Sequence, residues 1–484
     1  MMMIKKAIVF LIAMAAATVA VAQGLDVNSR GTSSKNDREN EKIFAVNKLP
    51  GYIVFIPFGG AGSGFYVWVN GNKPAETPGD LTTWIFPQEG FRDRYTLERV
   101  VALSRHNIRS PLSGGGSVLS RITPHNWFDW TSAPGELSLK GGALETMMGQ
   151  FFRQWLVSEG LMTENEIPSE GATRFYANSM QRTIATAQYF SSGMLPIANV
   201  KVERHYPLGT MDPVFNPRLT NIDDAFREKA MTQIKAMGGK EGLKGVASKL
   251  APNFAVLEKV LDIRRSPAAA NDTLFFRTDD LEIKLEEGKE PAMTGGFKMA
   301  NSASDAMTLQ YYEAPTETSA AFGHDFSVSE WESVAGIKDW YGDVLFTAPA
   351  VAVNVSRPLL ETMLSEMREK GRKFSFLCGH DSNIASVLAA LDAEDYSLPD
   401  AIEKKTPIGS KLMVTLWDGK DGGRYAGLFL VYETPSQLRS MPMLGPGETP
   451  VAFPVSLKGL KANPDGLYRL SDLEGRFERA INEY

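Results

Sequence analysis

Leu97-Glu98-Arg99-Val100-Val101-Ala102-Leu103-Ser104-Arg105-His106-Asn107-Ile108-Arg109-Ser110-Pro111 is the stretch on which the fold turns. Its apolar first half, Leu97–Leu103, predicts a buried strand. An Arg-His-x-x-Arg cluster follows at once, at the C-terminal end of that strand, where open α/β sheets bind their ligands. Two arginines flanking one histidine disfavour its protonated form and leave a ring nitrogen available as a nucleophile. Guanidinium forks also match phosphate oxygens in a bidentate manner. Taken alone, the octapeptide Ser104–Pro111 also suits a surface arginine pair around an ordinary histidine.

Two further stretches repeat the theme. The short apolar run Phe374–Cys378 predicts a second strand, and Gly379-His380-Asp381-Ser382-Asn383 follows it at the start of a helix-like segment, Ser382–Leu391. A histidine beside an acid offers a phosphate ligand and a proton donor from one turn, and a helix N-terminus favours an anion. Asp381 or Ser382 could equally be a helix cap. In Asn178–Thr183, Arg182 by itself reads as a solvated charge on a helix. Helical patterning covers Gly142–Glu159, Ser179–Phe190 and much of Asp223–Leu261. Strands at both ends around a mostly helical middle predict an α/β core with an α-helical insertion. The five histidines, His106, His125, His205, His324 and His380, include no pair at four-residue helical spacing and have no cysteine partners. No metal site is read from them and no cofactor is expected.

The N-terminal quarter has a different character. Lys5 and Lys6 precede the apolar run Ala7–Ala22, which ends in Ala20-Val21-Ala22, so a signal peptide over 1–22 with cleavage before Gln23 is expected. The run is shorter than the roughly 20 apolar residues of a membrane span, and no cysteine follows it to carry a lipid. A periplasmic or secreted protein is therefore expected, with no membrane attachment after removal of the leader. Residues 23–93 are expected to form a tether (Gly24–Asn40) and a small β unit. In the latter, Tyr52–Ile56 and Phe65–Val69 flank a glycine-rich stretch, and Asn70-Gly71 supplies a turn. The glycines are not a phosphate loop, since no Gly-Lys-Ser/Thr follows and no helix begins after them. Tyr52, Tyr66 and Trp68 admit a glycan-binding role for this unit beside a purely structural one.

Across 484 residues, 43% hydrophobic and 22% charged content is ordinary for a globular chain and sufficient for a large core. The net charge of −6 becomes more acidic still when Lys5 and Lys6 are lost, which argues against nucleic acid as a partner. Cys378 is the single cysteine, so no internal disulfide can form.

Arg105–Pro111 followed far downstream by His380-Asp381 resembles the histidine acid phosphatases, branch 2 of the histidine phosphatases, and within them the bacterial periplasmic glucose-1-phosphatases. The resemblance continues through Lys140–Glu145, Tyr176–Gln188, Gly209–Pro217, Thr308–Glu313, Gly379–Ser386 and Thr406–Gly409, and so runs from about Arg94 to the C-terminus. It implies a phosphoglycerate-mutase-like three-layer α/β core, about 94–140 and 340–484, with a mostly α-helical cap at about 141–339. It implies hydrolysis of small phosphate monoesters through a phosphohistidine. His106 is the implied nucleophile and Asp381 the implied general acid, while Arg105, Arg109, Arg182 and His380 clamp the phosphate without a metal.

Three departures accompany the resemblance. Most of the wider family has Gly after the nucleophile, where this chain has Asn107. Asn tolerates positive φ, so the loop is expected to keep its shape that way. The disulfides common among relatives are absent, and the extension 23–93 has no recognised counterpart. The leading expectation is hydrolysis of sugar phosphates such as glucose 1-phosphate. The alternatives are a phytase using the same machinery, which needs more basic side chains for the remaining phosphates, and a non-catalytic binder of phosphorylated ligands.

Overall fold

In a computed structural model of the chain, the described residues are 51–57 and 64–70 (backbone only), 80–112, 118–269, 276 and 281–483. The expected leader, its cleavage site and the tether Gly24–Asn40 lie outside them. Two units divide at Gly79. In the first, β1 (Gly51–Pro57) and β2 (Gly64–Asn70) pair antiparallel, with Tyr52 opposite Val69 and Phe55 opposite Tyr66.

The second unit, Asp80–Tyr484, holds the remaining strands: β3 (Tyr95–Arg105), β4 (Thr173–Ala177), β5 (Glu282–Lys284), β6 (Ala292–Thr294), β7 (Phe374–Gly379), β8 (Lys411–Gly419), β9 (Arg424–Tyr432), β10 (Val451–Pro454) and β11 (Tyr468–Arg469). Seven of these form one sheet in the order β10-β9-β8-β3-β7-β4, with β11 also on β9. The pairs β3–β7 and β7–β4 are parallel, and β3–β8 and β8–β9 are antiparallel. Central β3 is fully buried from Val100 onward, so it reads as an uninterrupted apolar run.

Alternation along the strands sorts the core into layers. Val100, Ala102, Phe374, Phe376 and Met413 face one side, beneath the helices Leu139–Ser158 and Gln181–Met194. Val101, Leu103, Leu377, Leu412 and Val414 face the other, beneath Pro349–Arg368, Asp381–Ala390 and Leu470–Asn482. A third apolar cluster, built largely from the helices Asp224–Ala236, Leu243–Val260, Gly296–Glu313 and Val328–Phe346, forms the cap. The mixed α/β fold with a central sheet and a helical cap is thus the expected one.

Two expected boundaries need correction. Strand β4 lies inside 141–339, the range assigned to the cap, yet it is the sheet's edge strand, paired with β7 from Thr173–Phe374 to Ala177–Cys378. Five residues without alternation carry too little signal beside long helices. Residues 80–93, assigned to the N-terminal extension, belong to the second unit. Leu81, Ile85, Phe86 and Phe91 are buried, and Trp84 meets Phe151, Phe152 and Trp155 edge-on at 4.7–5.9 Å. Each such burial is worth about 1.5–3 kcal/mol, enough to recruit a segment of polar appearance.

Candidate active site

Because β3, β7 and β4 run parallel, their C-terminal ends open on one edge of the sheet. His106 follows β3, His380 and Asp381 follow β7, and Asn178 follows β4, with Arg182 in the first turn of the next helix. Parallel pairing therefore gathers chain segments more than 200 residues apart. Backbone bonds lock the strand ends together: His106 N–H donates to Gly379 O (3.1 Å), Arg105 N–H to Ser410 O (2.9 Å) and Asn178 N–H to Cys378 O (2.9 Å).

The hydrogen bonds of the two histidines assign their tautomers. Nδ1 of His106 lies 2.9 Å from the carbonyl oxygen of Asn107. A carbonyl only accepts, so Nδ1 carries the proton and the Nε2 lone pair stays available. Burial, then the charges of Arg182, Arg109, His380 and Arg105, hold His106 well below the usual histidine pKa. His380 packs edge-on against it, ring centroids 5.6 Å apart. The Asn178 side-chain carbonyl accepts from Asp212 N–H (2.9 Å), so its amide N–H₂ faces Nε2 of His380 at 2.7 Å. Burial and the neighbouring arginines, Arg182 foremost, push His380 down to about 3.

Three guanidinium groups surround His106. Arg105 Nη1 is paired with Glu403 (2.7 Å), and Arg109 Nη2 with Asp305 (3.0 Å). Arg182 makes no hydrogen bond or ion pair among the described residues, and burial and Arg109 lower its pKa to about 10, still charged at neutral pH. Among the described residues, the Nε–H of all three arginines is buried without an acceptor. A buried unsatisfied donor costs about 1–3 kcal/mol, so three around one imidazole are suited to an oxyanion.

Asp381 is the odd member. Its side chain is 36% exposed, and Oδ2 meets Lys338 Nζ at 2.6 Å and Arg105 Nη2 at 3.7 Å. Burial pushes its pKa up, but Lys338 and Arg105 override this and hold it well below the usual range. It is not the helix cap: His380 occupies the cap position, and Asn383 Oδ1 reaches back to accept from His380 N–H at 2.9 Å. Asp381 Oδ1 accepts from Ser382 N–H (2.9 Å).

Asn107 is the second correction at the site. It is not among the residues with positive φ. Its loop is held by side-chain bonds instead: Nδ2 donates to Glu145 Oε1 (2.9 Å), Oδ1 accepts from Ile108 N–H (2.7 Å), and its own N–H donates to Thr186 Oγ1 (3.2 Å). Glu145 is fully buried against Lys411 at 3.1 Å. Gly409 closes the arrangement from above at φ +68°, where a Cβ would lie 2.6 Å from Asn107 Nδ2.

The structure thus brings all six sequence-predicted residues, His106, Asp381, Arg105, Arg109, Arg182 and His380, to one sheet edge. It adds residues that sequence reasoning did not assign. Asn178 and Glu145 stood inside noted motifs, and Glu403 just before another. Lys338 and Asp305, on cap helices, carried no local signal.

A model of the histidine phosphatase superfamily (branch 2) matches residues 96–426 of this chain. The chain belongs to that family. It is a histidine acid phosphatase that acts on phosphate monoesters. It is 36% identical over 395 residues to a glucose-1-phosphatase of Salmonella typhimurium, covering 80% of this chain and 92% of that one. The glucose-1-phosphatase of Providencia rettgeri is 35% identical over 394 residues, with the same shares covered. Phytase AppA of Escherichia coli is 25% identical over 426 residues, covering 82% and 94%. Among solved structures, the Hafnia alvei phytase superposes with a TM-score of 0.73 at 23% identity, covering 80% of this phosphatase and 98% of that chain. The Citrobacter braakii phytase gives 0.71 at 24%, covering 80% and 97%. These two share the fold of this histidine phosphatase, a central sheet with a helical cap. Among the described residues, no helix is long and apolar enough to cross a membrane.

Proposed function

We propose that this phosphatase hydrolyses sugar monophosphates, glucose 1-phosphate among them, through a phosphohistidine at Nε2 of His106. The observation that carries the reading is an imidazole with its lone pair on Nε2 in the field of three arginines whose Nε–H groups are buried and have no acceptor among the described residues. In the first step the Nε2 lone pair forms the N–P bond as the P–O bond to the sugar breaks. Arg105, Arg109, Arg182 and His380 hold the three spectator oxygens, a task of positioning and charge stabilisation that needs no further covalent chemistry. The leaving oxygen takes its proton from Asp381. In the second step water attacks phosphorus, the N–P bond breaks, its electron pair returns to Nε2, and Asp381 recovers the proton from the water.

Asp381 is ionised in the ligand-free site, so it must acquire its proton as substrate binds. The incoming phosphate charge works in that direction, opposing Lys338 and Arg105. An acidic optimum follows, because His106 stays unprotonated well below its ordinary pKa while Asp381 can be charged with a proton only in acid.

Preference for a monophosphate over inositol hexakisphosphate is supported by the charge balance. Arg105 is matched by Glu403, Arg109 by Asp305, and Lys338 by both Asp381 and Glu403. This leaves little spare positive charge for further phosphates. The names of the two relatives above 30% identity point the same way. We further infer that residues 1–22 act as an export signal and that the mature enzyme is periplasmic or secreted.

The test compares kcat/KM for glucose 1-phosphate and inositol hexakisphosphate, and chases labelled phosphate onto the protein by quenching during turnover. The expected result is a preference for the sugar phosphate and an acid-labile label absent from His106→Ala. Equal labelling of that variant, or its substantial activity, would refute the nucleophile.

A further inference from the structure

His125, Asp262 and His324 lie far apart in sequence, on three different segments of the second unit. His125 is in the loop between Ser120 and the helix that starts at Leu139. Asp262 follows the helix Leu243–Val260, and His324 sits in the turn before the helix Val328–Phe346. They nevertheless converge. Nε2 of His125 is 2.8 Å and Nε2 of His324 is 3.4 Å from the same oxygen, Asp262 Oδ2, and one ligand atom from each of the three lies within 4.8 Å of the others. We propose that these residues form a three-ligand site for a zinc-type divalent cation, apart from the phosphate clamp.

The donor set suits such an ion. Two imidazole nitrogens with one carboxylate oxygen are borderline ligands, the class preferred by Zn²⁺ and shared by Co²⁺ and Ni²⁺. Tetrahedral zinc with bonds of about 2.0–2.1 Å sets its ligand atoms roughly 3.4 Å apart. The His324–Asp262 separation already has that value, and the His125–Asp262 pair has to open by little more than half an ångström. The fourth position would be left to water.

The surroundings hold the ligands in place. His125 stacks on Phe322 with centroids 5.1 Å apart and planes 12° apart, and Trp127 meets Phe322 edge-on at 5.2 Å. This aromatic wall orients the imidazole, as outer-shell groups of metal sites do. Two backbone positions beside the ligands adopt the left-handed region without being glycine: Asp262 itself (φ 46°) and Phe322 (φ 54°), followed by Gly323 (φ 93°). Each non-glycine case costs on the order of 1 kcal/mol or more. Burial is intermediate: the three side chains are 26–29% exposed, which leaves an entry path. Arg265 Nη1 lies 3.9 Å from Asp262 Oδ2, but its side chain is 75% exposed and free to swing into solvent. An ion here would tie the segment downstream of Arg109 to two cap elements.

A hydrogen-bonded His-Asp-His cluster that never binds metal is the competing account, and titration separates the two. The mature enzyme, without an affinity tag and stripped with chelator, is titrated with ZnCl₂ by calorimetry, and with Co²⁺ while d–d absorption is followed. The expected result is one equivalent bound per chain, with a melting temperature that rises and saturates at that stoichiometry. Both effects should vanish in His125→Gln/His324→Gln and persist in His205→Gln. Asp262→Asn keeps an acceptor for His125 but loses the charge, and should weaken binding even if the double variant is poorly folded. A wild-type enzyme that takes up no ion, or variants that bind as wild type does, would overturn the site.

Discussion

Replacing Asp381 by Asn removes the transferable proton while leaving the local backbone structure in place. Asn retains an acceptor for Ser382 N–H, so the start of the helix Asp381–Ala390 is preserved. What is lost is the transferable proton and one negative charge beside Lys338 Nζ at 2.6 Å and Arg105 at 3.7 Å. Positioned proton donation is typically worth a factor of about 100 to 10,000, or roughly 2.7–5.4 kcal/mol of barrier. That full loss is expected in kcat/KM for glucose 1-phosphate, whose alkoxide leaves poorly, because kcat/KM covers only the steps up to departure of the alcohol and not the water attack that both substrates share. It should nearly disappear with p-nitrophenyl phosphate, whose phenolate leaves unaided. The lost charge acts in the opposite sense, because Lys338 and Arg105 are released to attract the phosphate. The Asp381 side chain is 36% exposed, so screening limits this gain to about 1 kcal/mol, a fall in KM of no more than about fivefold. The assay is kcat and KM for both substrates across pH, for wild type, Asp381→Asn and His380→Ala. The ratio of the two substrates' kcat/KM values should change at least about 100-fold in Asp381→Asn. It should barely change in His380→Ala, which slows both alike. The fall of wild-type kcat with rising pH on the sugar phosphate should be absent from Asp381→Asn. An equal fall of kcat/KM for both substrates in Asp381→Asn, or no fall for either, would remove Asp381 from the acid's role.

Four further outcomes are expected. Gly409→Ala places a methyl 2.6 Å from Asn107 Nδ2 at φ +68°, and should lower kcat as well as stability, by about 1–3 kcal/mol in chemical denaturation. Lys411→Met strands the fully buried Glu145, and should cost about 3–5 kcal/mol of unfolding free energy by the same measurement. Glu433 is buried, and burial, then Glu145, raise its pKa to about 8, above its unfolded value; such a carboxyl favours the fold while protonated and loses that contribution as pH rises through about 8. Glu433→Gln should therefore gain on wild type progressively from about pH 5 to pH 8, with no further gain above about 8, in thermal scans. Chelator treatment should leave kcat on p-nitrophenyl phosphate essentially unchanged, because the clamp consists of arginines and histidine, while lowering the melting temperature if the His125 site is filled.

Local sequence was enough where chemistry and secondary structure coincide. The apolar runs Leu97–Leu103 and Phe374–Cys378 announced the two strands that carry His106 and His380, since a strand buried on both faces has no polar alternation to disguise it. The motifs that follow them named the family and the six residues now found at one sheet edge. Where the signal was short or mixed, it failed. The five residues of β4 were absorbed into the helical middle, and the segment 80–93 was assigned to the extension because the resemblance was read only from about Arg94, and nothing local announces the contact of half-buried Trp84 with Phe151. Asn107 was given the wrong device: its loop is held by Glu145 and Thr186, not by positive φ.

What only the tertiary structure decided are the relations between residues distant in the chain. Lys338 on Asp381 spans 43 positions, Glu403 on Arg105 298, Asp305 on Arg109 196, and Asn178 on His380 202. His125 meets Asp262 across 137. Periodicity and capping act over one or two turns, so they reveal which face of an element is buried and where it ends. They hold no information about which distant polar group will share a low-dielectric site. That is set when parallel strands bring their ends to one edge and cap helices close over it. There, each buried charge must find a partner or a ligand, because burying it alone is too costly. The sequence alone specified the reactive groups; the fold decided which of them are neutralised and how far each pKa moves, and left three arginines near His106 whose Nε–H groups are buried without an acceptor among the described residues.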